Sequence, residues 1–315
     1  MGTYVRGQVA CMMRIRNEAR WIRSILERAF QLVGSIVVLD DGSDDETVLE
    51  CLKAVFQDDD NAAQAYKTTR DALSTTGYYV WDVTGYTVDV REHDELTPAA
   101  RVLHVLQSPF RPATARPTQA VSEIRDKNFL WEYCKANVPF LHMLCLDGDE
   151  LPSRRFMRQF GQAIAALERQ VDIMHIPFVY IWDAPGQIRM DGIYGLADDA
   201  LPRLRFPRLF SIARVSSEQL HIMRFSWEGS KGGFHCGSIP RENFRPNGVD
   251  PVAAIYAQPL IHFGYWDGDD RQRKFEFYNR IDPGNTFEGE YRHIIGQPNQ
   301  HAPGPVVLVP WEDQE

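Results

Sequence analysis

The sequence predicts an α/β protein with a doubly wound, mostly parallel sheet and a less regular C-terminal part. Short apolar runs, each of the length of a buried strand, alternate with stretches whose apolar residues recur at helical spacing. The clearest runs are Val9 to Met13, Ser35 to Leu39 and Phe140 to Leu146. Two of them stop abruptly at acidic residues, which is typical of strands buried on both faces of a parallel sheet. In such folds, ligands bind at the carboxyl ends of the strands.

The first two units are a strand followed by a helix. Apolar residues on one face predict a helix after the first strand; they are Ile22, Ile25, Leu26, Ala29 and Val33. After the second strand, Ser43 and Glu46 have the spacing of a capping box, which predicts that a second helix begins there.

Residues from about 57 to 119 are less regular, and we expect them to form an insertion. Within it, Val102 to Leu106 is short, apolar and followed by Ser-Pro, which favours one more parallel strand. A helix containing Trp131 then leads into Phe140 to Leu146. A further helix is predicted over Ser153 to Gln170, and a long strand over Val171 to Trp182.

Composition excludes several classes of protein. The 315 residues include 43 acidic and 34 basic side chains, a net charge of -9, which is a poor match to a nucleic-acid backbone or an anionic membrane. No apolar run reaches the length of a transmembrane segment, and the start does not have the pattern of a signal peptide, so a cytoplasmic location is predicted. Five scattered cysteines argue against a disulfide framework.

Acidic residues end two successive strands of the predicted sheet and should share one crevice. They are Asp40 and Asp41, then Asp147, Asp149 and Glu150. Carboxylate oxygens gathered in this way suit Mg²⁺ or Mn²⁺. Acids after a strand also form turns and helix caps, and this is the interpretation we favour for Asp44 and Asp45.

Four segments in order along the chain carry a resemblance to family 2 glycosyltransferases of the GT-A fold. They are Arg16-Asn17-Glu18, Val37-Val38-Leu39-Asp40-Asp41-Gly42-Ser43, Arg125-Asp126-Lys127-Asn128 and the D-x-D element Leu146-Asp147-Gly148-Asp149-Glu150. The resemblance covers roughly residues 9 to 160, the insertion excepted. It implies a nucleotide-sugar-binding half over residues 1–152, and an acceptor-binding half of the same domain with a C-terminal extension over 153–315.

The activity that the resemblance implies is inverting, metal-dependent transfer of a sugar to a hydroxyl acceptor. The donor would be a nucleoside-diphosphate sugar, with a UDP-sugar favoured, and the acceptor a glycan, protein or small molecule. The implied donor-binding residues are Arg14, Arg16, Asp40, Asp41, Arg125, Asp147 and Gly148. Of these, Arg14, Arg16 and Asp41 would line the base and ribose pocket, and Asp40 would support that loop. Arg125 would face the diphosphate.

The same resemblance implies that Asp149 and His262 hold Mn²⁺ or Mg²⁺. His262 lies in Ile261-His262-Phe263-Gly264-Tyr265, which resembles C-terminal elements that complete such metal sites, and a neutral imidazole can coordinate Mn²⁺. Basic residues follow from Arg271 to Lys274. They either clamp phosphates or form a solvated helix face.

The catalytic base is the point at which the sequence departs from the family. Where the family has a glutamate after histidine, this chain has Cys236 after His235. An inverting transfer needs one group to take the proton of the acceptor hydroxyl. We expect Glu228 in this role, with His235 and Asp199 as the other candidates.

Two other functions remain open. A nucleotidyltransferase would also use a doubly wound sheet and paired acids, but it normally has a glycine-rich loop where this chain has Met13-Arg14-Ile15-Arg16-Asn17. A non-catalytic nucleotide-sugar-binding protein is the second alternative, favoured by the missing glutamate after His235.

Overall fold

The computed structural model describes residues 8–56, 58–76, 78–82, 102–108, 119–226, 236–281 and 291–311. Among them the strands are β1 (Val9–Ile15), β2 (Ser35–Asp40), β3 (Tyr78–Asp82), β4 (Val102–Gln107), β5 (His142–Asp147), β6 (Glu150–Pro152), β7 (Ile173–Trp182), β8 (Ala184–Arg189), β9 (Arg205–Ser211), β10 (Ala253–Ile255), β11 (Leu260–His262) and β12 (Leu308–Pro310). The helices are α1 (Ile22–Leu32), α2 (Thr47–Phe56), α3 (Asp59–Thr76), α4 (Gln119–Asn137), α5 (Arg154–Arg169), α6 (Ser217–Ile222) and α7 (Gly268–Ile281).

The centre of the fold is a parallel sheet in the order β5-β1-β2-β4. This confirms the α/β class and the strand predicted within the insertion, since β4 pairs with β2 in parallel. The same segment, 57–119, also supplies α3 and the edge strand β3, which runs antiparallel to β4. On the other side, β9, β7, β8 and β12 extend the sheet with antiparallel pairs.

Both faces of the central strands are buried, because helices cover each of them. Along β1, Cys11 and Met13 point into a core with α1, α2, α3 and α5, whereas Ala10 and Met12 point into a second core with α4. Trp131 of α4 is fully buried in that second core. This alternation explains why the sequence of β1 is continuously apolar, as is usual for strands of doubly wound sheets.

The start of α5 agrees with the residue pattern of the sequence, whereas the start of α2 does not. Helix α5 begins as predicted, with Ser153 Oγ accepting a hydrogen bond of 3.1 Å from Phe156 N. The capping box of Ser43 and Glu46 is wrong, because the Ser43 hydroxyl donates to Asp40 Oδ1 instead. At the start of α2, Asp45 is the capping residue instead, and its Oδ1 accepts a hydrogen bond of 2.9 Å from Thr47 N.

The short strand β11 links the two halves of the molecule. It pairs in parallel with β7 and antiparallel with β6, which places His262 beside both Glu150 and Tyr180. Helix α7 follows β11 directly. The C-terminal half therefore returns to the carboxyl end of β5, where the D-x-D element lies.

All five cysteines are free and buried. Within the described ranges, none of the helices has both the length and the apolarity needed to cross a bilayer.

Candidate active site

The loops that follow β1 and β2 are joined by hydrogen bonds. Asn17 has a positive φ of 56°, and its backbone N–H donates to Ser43 Oγ at 3.0 Å. Its side-chain oxygen accepts from Asp44 N at 3.0 Å. Glu18 N donates to Thr47 Oγ1 at 2.7 Å. The Arg16-Asn17-Glu18 segment thus fixes Glu18 at the carboxyl edge of the sheet.

An ion-pair group lies at the ends of β1 and β2, here called the Arg14 group (Arg14, Asp41, Asp126 and Ser108). The Arg14 guanidinium forms a salt bridge with Asp41, and its Nε donates to Asp126 Oδ2 at 3.2 Å. Ser108 Oγ donates to Asp126 Oδ1 at 3.1 Å. Burial, and then the Asp41 charge, raise the pKa of Asp126. The structure therefore brings Arg14 and Asp41 together and adds Asp126 from α4.

Three other residues predicted to bind the donor, Asp40, Arg125 and Arg16, lie near this edge but outside the Arg14 group. Asp40 is buried, and its Oδ1 accepts 2.9 Å from Ser43 N, which closes the loop after β2. Arg125 Nη2 lies 3.7 Å from Asp126 Oδ1. Arg16 is exposed. Binding roles for these three residues stay predictions.

Asp147 is held by a buried arginine from β9. Arg208 donates to Asp147 Oδ2 at 2.8 Å and also pairs with Glu150. Burial acts to raise the pKa of Asp147, but the charges of Arg208 and Lys127 outweigh it and hold the pKa below its usual value. Asp147 therefore remains ionised and anchored at the end of β5.

Gly148 is required by close packing against Glu18. A Cβ atom on Gly148 would lie 2.7 Å from Glu18 Cγ, nearer than real Cβ contacts allow. Burial, followed by the charge of Asp149, raises the pKa of Glu18 to about 8. The structure thus gives the glycine of the D-x-D element a packing role with the loop after β1; the close approach of a sugar stays a prediction.

The next group is the Asp149 cluster (Asp149, His262, Gly264 and Lys274). Asp149 is buried, and its Oδ2 accepts a hydrogen bond of 3.3 Å from Lys274 Nζ. His262 Nε2 lies 3.7 Å from the same oxygen. A Cβ atom on Gly264 would lie 2.5 Å from Lys274 Nζ and closer still to Asp149 Oδ2 and His262 Cε1. The two predicted metal ligands therefore meet, with a lysine beside them.

The proton on His262 decides whether it can bind a metal ion. Its Nδ1 accepts a hydrogen bond of 3.0 Å from Gly264 N, so Nδ1 has no proton and the ring is neutral. A neutral imidazole has one ring proton, which must then be on Nε2, the nitrogen that faces Asp149. A histidine that binds a metal directs its unprotonated nitrogen toward the metal and donates its other ring N–H to an acceptor. The hydrogen bonds of His262 place the proton on the opposite nitrogen.

Lys274 adds a second conflict, because its ammonium group already neutralises Asp149. Over the ranges that the structure covers, no three His, Cys, Asp or Glu side chains are grouped in a way that would hold a metal ion. Because the His262 Nε2 proton faces Asp149 and the Lys274 ammonium group pairs with it, the donor set of Asp149 and His262 does not fit Mn²⁺ or Mg²⁺ in this arrangement.

Lys274 differs from the other basic residues of its helix. Arg271 is buried, donates to Asp183 Oδ1 at 2.5 Å, and lies over the Trp182 ring with its Cζ 4.3 Å from the ring centroid. Arg273 pairs with Asp270 on the surface. Of the predicted phosphate clamp, Lys274 is the member that reaches the carboxylates at the sheet edge.

The predicted catalytic bases Glu228 and His235 lie outside the described residues. The third candidate, Asp199, forms a salt bridge with Arg205, and its Oδ1 accepts a hydrogen bond of 3.1 Å from Leu201 N. These hydrogen bonds, first of all that of Arg205, lower its pKa. Because the carboxylate is engaged and weakly basic, Asp199 is poorly suited to remove a proton from an alcohol.

Several residues of the site were not assigned by the sequence-based analysis. Glu18 and Asp126 were within the motifs that carried the family resemblance, so the motifs themselves were the signal. Arg208 and Gly264 also lay in segments that resemble the family, Arg208-Leu209-Phe210 and Ile261 to Tyr265, but their contacts depend on strands that are distant in sequence.

Comparison with known proteins gives structural likeness only. No protein-family model and no curated protein matches the sequence. S. aureus TarS (residues 1-349) aligns over 92% of this chain and 69% of its own, with a TM-score of 0.41 and 12% identity. Glucosyl-3-phosphoglycerate synthase from Mycobacterium tuberculosis, in complex with phosphoglyceric acid, aligns over 87% and 79%, with a TM-score of 0.39 and 15% identity. The same enzyme in complex with Mn²⁺ and UDP-glucose gives a TM-score of 0.38, at 15% identity, over 87% and 78%.

Proposed function

We propose that this protein is an inverting glycosyltransferase that moves a sugar from a nucleoside-diphosphate sugar, with UDP-sugars favoured, to a hydroxyl acceptor. The observation that carries the proposal is the position of two charged groups at one edge of the sheet. The Arg14 group lies at the ends of β1 and β2, and the Asp149 cluster follows β5.

The topology favours a ligand between these groups. Strand β1 lies between β2 and β5, and the register places Arg14 next to Asp147 and Ile15 next to Asp40. The order of strands along the chain therefore reverses at β1. In open α/β sheets, the crevice at such a switch point is where ligands bind.

Each group has the chemistry of one part of a nucleotide sugar. Asp41 offers carboxylate oxygen to the N–H and hydroxyl groups of a base and ribose, and Arg14, itself bonded to the buried Asp126, holds that carboxylate in place. At the end of β5, Arg208 and Lys274 are the cations beside the D-x-D carboxylates. We assign the diphosphate to this second group.

The reaction requires one proton transfer and one displacement. The acceptor hydroxyl gives its proton to the base as its oxygen attacks the anomeric carbon, and the bond to the departing nucleoside diphosphate breaks with the electron pair on phosphate oxygen. Glu228 remains the proposed base and His235 the second candidate. The negative charge that develops on the leaving group needs nearby cations, the usual form of electrostatic stabilisation in such sites.

The test is a panel of nucleotide sugars incubated with the protein, with and without Mn²⁺. Slow release of nucleoside diphosphate and free sugar from one member of the panel is the expected result, since water replaces the acceptor. Asp41→Ala serves as the matched variant, and it should need much higher donor concentrations.

Two other results would contradict the proposal. Release of pyrophosphate from a nucleoside triphosphate and a sugar phosphate would identify a nucleotidyltransferase. Binding of a nucleotide sugar without turnover, even when candidate acceptors are added, would identify a binding protein.

A further inference from the structure

We propose that the Lys274 ammonium group takes the place of a divalent cation in this site and binds the donor diphosphate directly. The inference rests on the proposed function and names the group that recognises the phosphates. It follows from the geometry of the Asp149 cluster, in which the residues expected to hold a metal ion do not fit one.

The lysine occupies the position of a counter-ion to the D-x-D element. Its Nζ is 3.3 Å from Asp149 Oδ2, and this carboxylate is buried. A buried carboxylate therefore has its compensating cation from the chain itself, as buried charges require.

The ammonium group also has capacity for a ligand. It has three N–H donors, and among the described residues Asp149 Oδ2 is the acceptor within hydrogen-bond distance. The Lys274 side chain is 38% exposed, whereas that of Asp149 is 11% exposed. Lys274 is therefore the more accessible member of the pair, and we assign its remaining N–H donors to phosphate oxygens.

The backbone at Gly264 preserves this arrangement. The space where a Cβ atom would lie is bordered by Asp149, His262 and Lys274 together. The Gly264 N–H also donates to His262 Nδ1, which directs the Nε2 proton toward Asp149. The Asp149 carboxylate therefore accepts a hydrogen bond from Lys274, and a protonated nitrogen of His262 faces it at 3.7 Å.

Three other cations of the described region already have carboxylate partners. Arg208 is shared between Asp147 and Glu150, Arg14 bridges two carboxylates, and Arg271 is bonded to Asp183. Among the residues that the structure describes at the end of β5, Lys274 combines one carboxylate partner with partial exposure.

Calorimetric titration of the whole protein with UDP, and in parallel with GDP, CDP and dTDP, tests the inference in EDTA and in MnCl₂. We expect the wild-type Kd of the nucleotide that binds to agree within about twofold in the two conditions. Lys274→Gln should weaken binding about tenfold or more in EDTA. Lys274→Arg, which keeps a cation, should restore most of the affinity.

Arg273→Gln is the matched control. It removes one positive charge from the neighbouring position of α7, where the side chain is 70% exposed. Nucleotide affinity should be unchanged in this variant. Melting temperatures of the variants show whether any loss comes from unfolding.

The outcomes separate the two proposals. Wild-type binding that requires Mn²⁺, or a folded Lys274→Gln protein with wild-type affinity in EDTA, overturns the role of Lys274 and leaves the proposed function standing. If none of the four nucleotides binds in either condition, the proposed function fails and this inference fails with it.

Discussion

Replacement of Gly264 by alanine tests whether the Asp149 cluster is as closely packed as the structure indicates. The new methyl group would lie 2.5 Å from Lys274 Nζ and closer to the two other members, whereas ordinary contact begins near 3.4 Å. Each neighbour must therefore move by about 1 Å or the backbone must shift. Overpacking of this kind costs about 1–3 kcal/mol.

The lysine is the member that can move most easily, because its chain is flexible and partly exposed. We therefore expect Gly264→Ala to separate Lys274 from Asp149, to lower the melting temperature by a few degrees, and to weaken nucleoside diphosphate binding about tenfold, equivalent to about 1.4 kcal/mol. Gly304→Ala is the control, since a Cβ atom there meets nothing within 4 Å. Calorimetry and thermal melting are the assays. A Gly264→Ala protein with wild-type melting temperature and affinity would refute the described packing.

Three further predictions concern the rest of the site. The pKa of Glu18 in the folded protein is raised to about 8, so between about pH 4.5 and 8 the folded state keeps a proton that the unfolded state loses. The free energy of unfolding therefore falls as pH rises through this window, by at most about 1.4 kcal/mol per pH unit. Glu18→Gln should therefore gain stability relative to wild type over this window in denaturant titrations; equal pH profiles would show that Glu18 ionises normally. Asp41→Ala should raise the nucleoside diphosphate Kd about tenfold, the scale of one charge-assisted hydrogen bond, and an unchanged Kd would remove Asp41 from the base and ribose pocket. Glu228→Gln should reduce transfer about 10²-fold or more with near-normal donor binding; survival of transfer there but not in His235→Ala would move the base to His235.

The sequence was sufficient for the central sheet because its strands are marked by local pattern. β1, β2 and β5 are continuously apolar and are covered on both faces, so their burial leaves a signal in each strand. The capping box was a local pattern as well, but in the folded loop both the Ser43 hydroxyl and its backbone N–H bond to Asp40.

The site was predicted in part. Asp149 and His262 meet although 113 positions separate them in the chain, as the family resemblance implied. The polarity of His262 and the position of Lys274 depend on how β11 is inserted between β6 and β7, and on where α7 then begins. The pattern of residues along the chain contains no information on such tertiary contacts. From the sequence, Lys274 could therefore belong either to a phosphate clamp or to a solvated helix face.

A crystal structure of the protein soaked with UDP in the presence of EDTA would show directly whether Lys274 binds the donor phosphates. We expect a nucleotide in the crevice at the carboxyl ends of β1, β2 and β5, with its base and ribose beside Asp41 and its phosphates within hydrogen-bond distance of Lys274 Nζ. A nucleotide bound elsewhere on the protein, or phosphates held at Asp149 only after Mn²⁺ is added, would contradict this expectation.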